Sequence, residues 1–138
     1  MVAWTRASTN VDFERDGRQV GAFNIGHSVH RSAYGVIPVP LAVLKNGRGP
    51  TVLLMAGNHG DEYEGQVALS KLTSVLEPYH VDGGVIIMPA ANLPAVLASQ
   101  RTSPVDGGNF NTSFPGALDA GPTQQIAHFV ETEILPRV

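Results

Sequence analysis

Apolar residues in the middle of the chain change from a continuous run to a helical spacing and back. Residues 51–56 read TVLLMA, and such an uninterrupted run predicts a strand buried on both faces of a sheet. Helical spacing then extends from about Asp61 or Glu62 to about Leu76, and residues 85–89, VIIMP, predict a second buried strand. A strand, a helix and a strand in this order predict a βαβ unit with a right-handed crossover. The predicted buried stripe of the helix consists of Val67, Leu69, Leu72 and Leu76.

The N-terminal third of the chain predicts β-structure. Residues 11–25 alternate loosely around an Asp-Gly pair at residues 16–17, which is typical of a hairpin turn, and predict two short antiparallel strands. Residues 36–44 predict a further strand that Pro38 and Pro40 interrupt. Because proline cannot donate a ladder hydrogen bond, we expect this strand to lie at an edge of the sheet or to begin late.

The C-terminal half predicts two more helices with a long loop between them. Residues 94–100 predict a short helix, and residues 122–135 predict a final one. Residues 101–121 predict a loop rich in glycine and proline, and a loop of that length is usually functional or disordered. We therefore expect an α/β fold with a mixed central sheet flanked by helices and an N-terminal β-hairpin, with residues 1–10 disordered. The buried face of the final helix is predicted to be Ile126, Phe129, Val130 and Ile134.

Composition narrows the classes of function. The chain has 138 residues, of which 43% are apolar and 15% charged, and this predicts a single soluble domain over residues 1–138. With a formal charge of −3 and scattered cations, it lacks the footprint of a nucleic-acid-binding protein. No apolar run approaches the ~18 residues of a membrane span, and no signal peptide is evident, so we expect a cytoplasmic protein. Because there is no cysteine, any metal must be held by His, Asp, Glu and water.

The segment between the first buried strand and its helix carries the strongest chemical signal. Residues 57–65 read GNHGDEYEG and place His59 and Glu62 three residues apart. Imidazole nitrogen and carboxylate oxygen are two of the ligand types that zinc takes from proteins. On the first turn of a helix, this spacing points both side chains the same way. Open α/β sheets also bind ligands at the carboxyl ends of their strands, so the sequence predicts a metal-dependent hydrolase.

Other titratable residues have simpler interpretations. Asp61 fits as a helix cap or as a first-turn residue that the helix dipole favours. Glu64 follows Glu62 by two residues and therefore points to another face of the helix. His128 lies beside the buried face of the final helix and is interpreted as structural. The remaining histidines, His27, His30 and His80, fall in predicted loops.

Further motifs follow in an order that matches a known family. They are PAAN at residues 89–92, Arg101, DGGNFN at residues 106–111 and FPG at residues 114–116. Together with residues 57–62, they make the chain from about residue 11 onwards resemble the succinylglutamate desuccinylase/aspartoacylase family of zinc amidohydrolases, a branch of the zinc carboxypeptidase fold. Within that family, residues 32–35, 58–65 and 101–109 point to N-acetyl-2,4-diaminobutyrate as the substrate.

The resemblance implies an enzyme that uses Zn²⁺ to cleave the amide bond of an N-acyl amino acid. His59 and Glu62 would hold the zinc, which lowers the pKa of bound water toward ~7. Arg101 would bind the substrate and polarise its amide carbonyl. Asn111 and Thr112 would contact the substrate carboxylate, although the family has arginine at the position of Thr112, so carboxylate affinity should be lower or the substrate different. The third zinc ligand and the catalytic glutamate of the family lie beyond this chain, which therefore resembles a truncated, N-terminal part of the catalytic domain.

Two alternatives stay open. A carboxypeptidase-type metallopeptidase could use the same side chains, although Thr112 lacks the cation that capture of a C-terminal carboxylate normally needs. The chain could also be a catalytically incomplete fragment that binds metal. The expected partner is a small N-acyl amino acid, without nucleic acid or membrane, and an unpaired sheet edge would favour homo-oligomers.

Overall fold

A computed structural model describes residues 7–30 and 35–138, and a five-stranded mixed sheet forms its centre. The strands are β1 Ala7–Thr9, β2 Gly17–Gly26, β3 Val36–Asn46, β4 Thr51–Met55 and β5 Gly83–Met88. They lie in the order β1-β2-β3-β5-β4, in which β4 and β5 are parallel and all other neighbours are antiparallel. The predicted α/β class, the mixed sheet and the strand–helix–strand unit are therefore confirmed.

Helices cover both faces of the sheet. They are α1 Tyr63–Val75, α2 Leu93–Ala98 and α3 Pro122–Phe129. The final helix continues as a π-helical turn, Val130–Ile134, and a 3-10 turn, Leu135–Arg137, and further 3-10 turns lie at Pro78–His80 and Phe110–Thr112. Among the residues that the structure describes, none of the helices is both long enough and apolar enough to cross a membrane.

The larger apolar cluster lies between one face of the sheet and the final helix. Because side chains alternate along a strand, Ile86 and Met88 of β5 point into this cluster. Phe23 of β2 stacks on Phe129 with ring centroids 3.6 Å apart. The predicted face of the final helix is confirmed, because Ile126, Phe129, Val130 and Ile134 are all buried.

The opposite face of the sheet is covered less completely. Leu44 and Ile87 form a smaller cluster there, against which apolar residues of the α1 segment pack. No residue of α1 is fully buried, and Val67 of the predicted stripe is exposed. The other members of that stripe, Leu69, Leu72 and Leu76, pack against the cluster.

Strand β4 forms one edge of the described sheet. The prediction that it is buried on both faces is wrong, because Val52 is 48% exposed and its other four residues are only half-buried. Its hydrogen-bonding partner within the described residues is β5 alone. An unbroken apolar run does not distinguish a central strand from an edge strand, since both give the same local pattern.

The N-terminal hairpin is present but differs from the predicted one. β1 pairs antiparallel with β2, with Thr9 opposite Phe23, and residues 11–16 do not form a strand. Gly17 begins β2 with a φ of 105° and does not close a two-residue turn. β1 also lies within the segment expected to be disordered, while residues 1–6 lie outside the described residues.

The side chain of Gln19 makes hydrogen bonds with the backbone of the connection between β1 and β2. The Oε1 of Gln19 accepts from the Asp12 N–H at 2.9 Å, and the Nε2 of Gln19 donates to the Arg15 carbonyl at 2.7 Å. These bonds satisfy backbone groups that would otherwise need a second strand. The expectation that the Asp-Gly pair at residues 16–17 forms a tight turn between two strands is therefore wrong.

Strand β3 lies inside the sheet and begins at Val36, before both prolines, so the expectation that it lies at an edge or begins late is wrong. Pro38 and Pro40 lie opposite residues of β2, whereas β5 pairs with β3 only from Ala42 onwards. The proline half of β3 therefore has a neighbouring strand on one side only. Proline is tolerated there because its nitrogen can face the side without a strand.

Candidate functional site

The loop between β4 and α1 carries both predicted metal ligands. His59 is 4% exposed, and its Nδ1 lies 2.7 Å from Oε1 of Glu62, whose side chain is 60% exposed. Helix α1 begins only at Tyr63, so the prediction that both ligands lie on its first turn is wrong. The loop that precedes the helix brings the two side chains together instead.

Two glycines allow this loop to pass close to the segment around α2. A Cβ on Gly57, which has a φ of 73°, would lie 2.9 Å from the Cα of Ala90. A Cβ on Gly60 would lie 1.9 Å from the carbonyl oxygen of Ala95. The Gly60 N–H also donates to the Gln100 carbonyl at 2.8 Å. Only glycine permits this approach, which fixes the position of the histidine between the two glycines.

The first turns of α1 hold the same loop from the other side. The Nε2 of Gln66 donates to the carbonyl oxygen of Glu62 at 2.9 Å. The same nitrogen lies 3.3 Å from the carbonyl oxygen of His59 and 3.2 Å from that of Gly60. The side chain of Gln66 therefore contacts three backbone carbonyl groups of the loop that carries both candidate ligands.

Two side-chain amides of the long loop after α2, those of Asn109 and Asn111, lie next to the imidazole of His59. Oδ1 of Asn109 lies 3.2 Å from Nε2 of His59 and accepts the Asn111 N–H at 3.2 Å. Oδ1 of Asn111 accepts from Nδ2 of Asn58 at 3.0 Å, and its own Nδ2 lies 3.4 Å from Nε2 of His59. The structure thus brings the predicted residue Asn111 to the histidine.

Asn58 and Asn109 are contacts that reasoning from the sequence missed. Both stand in the segments that carry the family resemblance, one beside the histidine and the other two residues before Asn111. The recurrence of asparagine in these segments was the available signal. The contacts that they make, Asn58 with Asn111 and Asn109 with His59, however, join two loops that lie about fifty residues apart in the chain.

Arg101 and Thr112 relate differently to the ligand pair. Nη1 of Arg101 lies 3.9 Å from Oε1 of Glu62, and the arginine side chain is 61% exposed. The hydroxyl of Thr112 donates to the carbonyl oxygen of Asn109 at 3.2 Å, so it is bonded to its own loop. Of the five predicted site residues, Thr112 is therefore the one whose polar group is engaged away from the ligand pair.

Asp106 anchors this loop to the beginning of α3. Its carboxylate accepts hydrogen bonds from the backbone N–H and the hydroxyl of Thr123, both at 2.8 Å, and from the Gly108 N–H at 3.1 Å. Burial raises the pKa of the Asp106 carboxyl, but these bonds and one from Ser103 outweigh burial. The net result is a pKa below the ordinary value of 3.8.

The other titratable residues do not extend the site. Asp61 and Glu64 are exposed. Helix α1 begins at Tyr63, with Glu62 at its N-cap position and no side-chain cap, so the interpretation of Asp61 as a cap or a first-turn residue is wrong. His128 is half-buried on α3. Within residues 7–30 and 35–138, no group of three or more His, Cys, Asp or Glu side chains could hold a metal ion. His59 and Glu62 nevertheless fit two positions of a zinc site, because a nitrogen and an oxygen donor lie side by side.

Comparison with known proteins decides the family. The profile of the succinylglutamate desuccinylase/aspartoacylase catalytic domain matches residues 48–138. The chain belongs to this family. The N-alpha-acetyl-L-2,4-diaminobutyric acid deacetylase of Halomonas elongata is a relative that is 50% identical over 129 residues, which cover 94% of this chain and 38% of that protein.

Solved structures of the succinylglutamate desuccinylase/aspartoacylase family superimpose closely on the chain. The product-bound Ectoine utilization protein EutE (DoeB) from Ruegeria pomeroyi has a TM-score of 0.94 at 46% identity, covering 97% of this chain and 41% of that one. A succinylglutamate desuccinylase/aspartoacylase from Rhodobacter sphaeroides has a TM-score of 0.93 at 47% identity, with 96% and 41% covered. The family resemblance and its fold are confirmed, and the chain spans between 38% and 41% of the length of these relatives. Residues 32–34, part of one motif that carried the resemblance, lie outside the described residues.

Proposed function

We propose that the chain forms part of a zinc-dependent amidohydrolase that removes the acetyl group from N-acetyl-2,4-diaminobutyrate or a closely related N-acyl amino acid. The observation that carries this proposal is the 2.7 Å approach of His59 Nδ1 to Glu62 Oε1 at the carboxyl end of β4. The substrate is proposed because the chain is 50% identical over 129 residues to a protein named as a deacetylase of that compound.

His59 and Glu62 would hold the metal. The histidine is buried and fixed by the two glycines of its loop, whereas the glutamate side chain is mostly exposed and free to adjust. When bound, zinc supplies Lewis-acid chemistry and lowers the pKa of water toward ~7. Both donors come from the one loop between β4 and α1.

Arg101 would bind the substrate and orient its amide carbonyl. Its guanidinium lies 3.9 Å from Glu62 Oε1. The positive charge of Arg101 therefore lies beside the carboxylate that would bind the metal. A cation at that place stabilises the negative charge that develops on the carbonyl oxygen, and the loss of one such donor costs about 3–4 kcal/mol of activation free energy.

Asn111 and Thr112 would contact the carboxylate of the substrate. The amide of Asn111 is held by Asn58 at 3.0 Å and therefore has a fixed orientation. The hydroxyl of Thr112 must leave the carbonyl oxygen of Asn109 before it can bind a ligand. We therefore infer weak carboxylate binding at this end of the site, which favours a deacylase over a peptidase that must grip a C-terminus.

A further observation favours the view that this chain alone is catalytically incomplete. The described residues supply two candidate ligands at the site, whereas a catalytic zinc usually takes three from the protein. The chain also spans only 38% of the Halomonas deacetylase. We infer that hydrolysis requires residues outside this sequence, and that the isolated chain binds zinc weakly.

A chimera tests the proposed activity directly. The chain replaces the matching segment of the Halomonas deacetylase, and release of acetate from N-acetyl-2,4-diaminobutyrate is measured with and without zinc. We expect zinc-dependent hydrolysis that His59→Ala or Glu62→Gln abolishes and that Arg101→Ala lowers by roughly 10²–10³-fold. Glu64→Gln, a matched change at an exposed carboxylate two residues away, should leave activity unchanged.

Two results would contradict the proposal. One is a folded, zinc-loaded chimera that releases no acid from any N-acyl amino acid. The other is a chimera that trims the C-termini of peptides, seen by mass spectrometry, in preference to hydrolysing N-acyl amino acids, which would favour the metallopeptidase alternative. A calorimetric zinc titration of the 138-residue chain checks the incomplete site, because tight binding at one zinc per chain would require a third ligand nearby.

A further inference from the structure

We propose that Gln66 is a positioning residue for the candidate metal site, whose side-chain amide holds the backbone of both ligand residues at one point. The inference rests on the proposed function for the identity of the ion, but not for the arrangement of the loop. One nitrogen atom of Gln66 lies within hydrogen-bond distance of the carbonyl oxygens of His59, Gly60 and Glu62. Gln66 follows residues 57–65 directly and is not among the residues that the sequence predicts for the site.

The chemistry of these contacts fixes the orientation of the Gln66 amide. A backbone carbonyl oxygen can only accept a hydrogen bond, and of the two ends of the amide only the nitrogen can donate one. If the amide were turned by 180°, its oxygen would face the same three carbonyl oxygens, and each contact would become repulsive. The nitrogen therefore faces the loop.

The two N–H hydrogens of the Gln66 amide serve three acceptors. The shortest contact, 2.9 Å to the carbonyl oxygen of Glu62, takes one hydrogen. The longer contacts, 3.2 Å to Gly60 and 3.3 Å to His59, fit a three-centre bond in which the second hydrogen is shared, as is common at helix ends. Removal of the donor would therefore deprive three carbonyl groups of a partner at once, and two of them belong to the candidate ligand residues.

The functional consequence is a link between the two ligand residues. The side chain of His59 is buried, whereas that of Glu62 is 60% exposed, so packing constrains the glutamate little. Gln66 is the fourth residue of α1, and its amide ties the backbone of both ligand residues to this helix. Ligands that are already arranged lose less conformational freedom when they bind. Gln66 would thus raise metal affinity through the backbone, without touching the metal or the substrate.

A role of Gln66 in helix stability alone makes a different prediction for a carboxylate at this position. Glutamate and glutamine have similar helix propensities, and the helix dipole favours a negative charge near the start of a helix. Gln66→Glu should therefore be neutral or stabilising if the residue served only the helix. If its N–H groups position the loop, the same change places a carboxylate against three carbonyl oxygens and loosens the loop.

Hydrogen exchange in the metal-free 138-residue chain tests the loop directly. The Gly60 N–H donates to the Gln100 carbonyl at 2.8 Å, so its exchange rate, followed by NMR, reports opening of the loop. Gln66→Met keeps a similar length and helix propensity without a donor, and we expect both it and Gln66→Glu to accelerate this exchange by roughly 5–10-fold. The Ala91 N–H, which donates to the Ala56 carbonyl at 2.8 Å just beyond β4, should keep its rate.

A matched control and a spectroscopic signature complete this test. Gln124→Met changes an exposed glutamine in the first turn of α3 and should leave the Gly60 rate unchanged. The carbonyl ¹³C shifts of the three acceptor residues should change in Gln66→Met and stay in place in the control, because only the first variant removes their hydrogen bonds. An unchanged Gly60 rate in either Gln66 variant, or an equal acceleration at Ala91, would overturn the proposal.

The zinc dependence of the chimera that carries this chain provides a second readout. Gln66→Met should raise the zinc concentration for half-maximal acetate release by roughly tenfold, at the lower end of the range for residues that support metal ligands, and should change the rate at saturating zinc little. An unchanged zinc requirement in an active chimera would also overturn the proposal. A chimera without zinc-dependent activity contradicts the proposed function instead, while the Gly60 exchange of the metal-free chain still decides the role of Gln66.

Discussion

The close approach of Gly60 to α2 yields the sharpest prediction for this fold. Gly60→Ala adds a Cβ 1.9 Å from the carbonyl oxygen of Ala95, whereas Cβ atoms in proteins do not come closer than 3.0 Å, so the loop must move by about 1.1 Å. That movement breaks the 2.8 Å hydrogen bond from the Gly60 N–H to Gln100. Overpacking costs about 1–3 kcal/mol and the lost bond about 1 kcal/mol, so we expect a loss of about 2–4 kcal/mol in the free energy of unfolding.

Urea denaturation followed by circular dichroism measures this loss, with Gly47→Ala as a control in which the added Cβ meets no neighbouring atom. Gly47 has a φ of 68°, but an added Cβ there meets no atom within 4 Å. The control therefore reports backbone strain alone, which costs about 1–2 kcal/mol. The NMR signals of the His59 ring should shift in Gly60→Ala and stay in place in Gly47→Ala. If Gly60→Ala is no less stable than the control and leaves those signals unmoved, the glycine does not set the position of the histidine.

Three further changes test other parts of the structure. Asp106→Asn should lower the free energy of unfolding by about 1 kcal/mol at pH 7. Because the pKa of Asp106 in the folded chain lies below 3.8, this difference in stability between variant and wild type should vanish as the pH falls through that lowered pKa. A difference in stability that stays unchanged in acid would contradict this. Phe23→Ala removes a buried stacked ring and should cost about 3–5 kcal/mol, against less than about 0.5 kcal/mol for Tyr79→Ala at a 74% exposed position, as urea midpoints will show. We also expect self-association through the edge of β4, seen by sedimentation velocity and reduced by Val52→Lys; a monodisperse monomer at high concentration would refute it.

Local patterns in the sequence predicted those parts of the fold that local physics determines. The apolar run at residues 51–56 and the helical spacing after it indicated a strand, a helix and a parallel strand, which the structure contains. The buried face of the final helix was also predicted, because its burial depends on a periodicity within one segment. The position of β3 inside the sheet was not predicted. It depends on β5 pairing with only part of β3, and the sequence of β3 alone does not show which strands pair with it.

In the candidate site too, contacts within one segment were predicted from the sequence, whereas contacts between distant segments were not. The pairing of His59 with Glu62 follows from two positions in one loop, and the sequence predicted it although the helix begins later than expected. The approach of Arg101 to Glu62 agrees with the family resemblance, while its role stays a prediction. The contacts of Asn58 with Asn111 and of Asn109 with the imidazole were missed because they form only after two distant loops have packed together.

The bridge from Asp106 to Thr123 couples the loop around His59 to the opening of α3. Two bonds of 2.8 Å tie that carboxylate to the first turn of the helix, and Phe110, four residues further along the loop, is fully buried in the larger cluster. The amides of the loop and those of the helix start should therefore exchange with deuterium at similar rates, as one cooperative unit. A substitution on α3 could then disturb the environment of the imidazole from a distance, without changing any residue that contacts it.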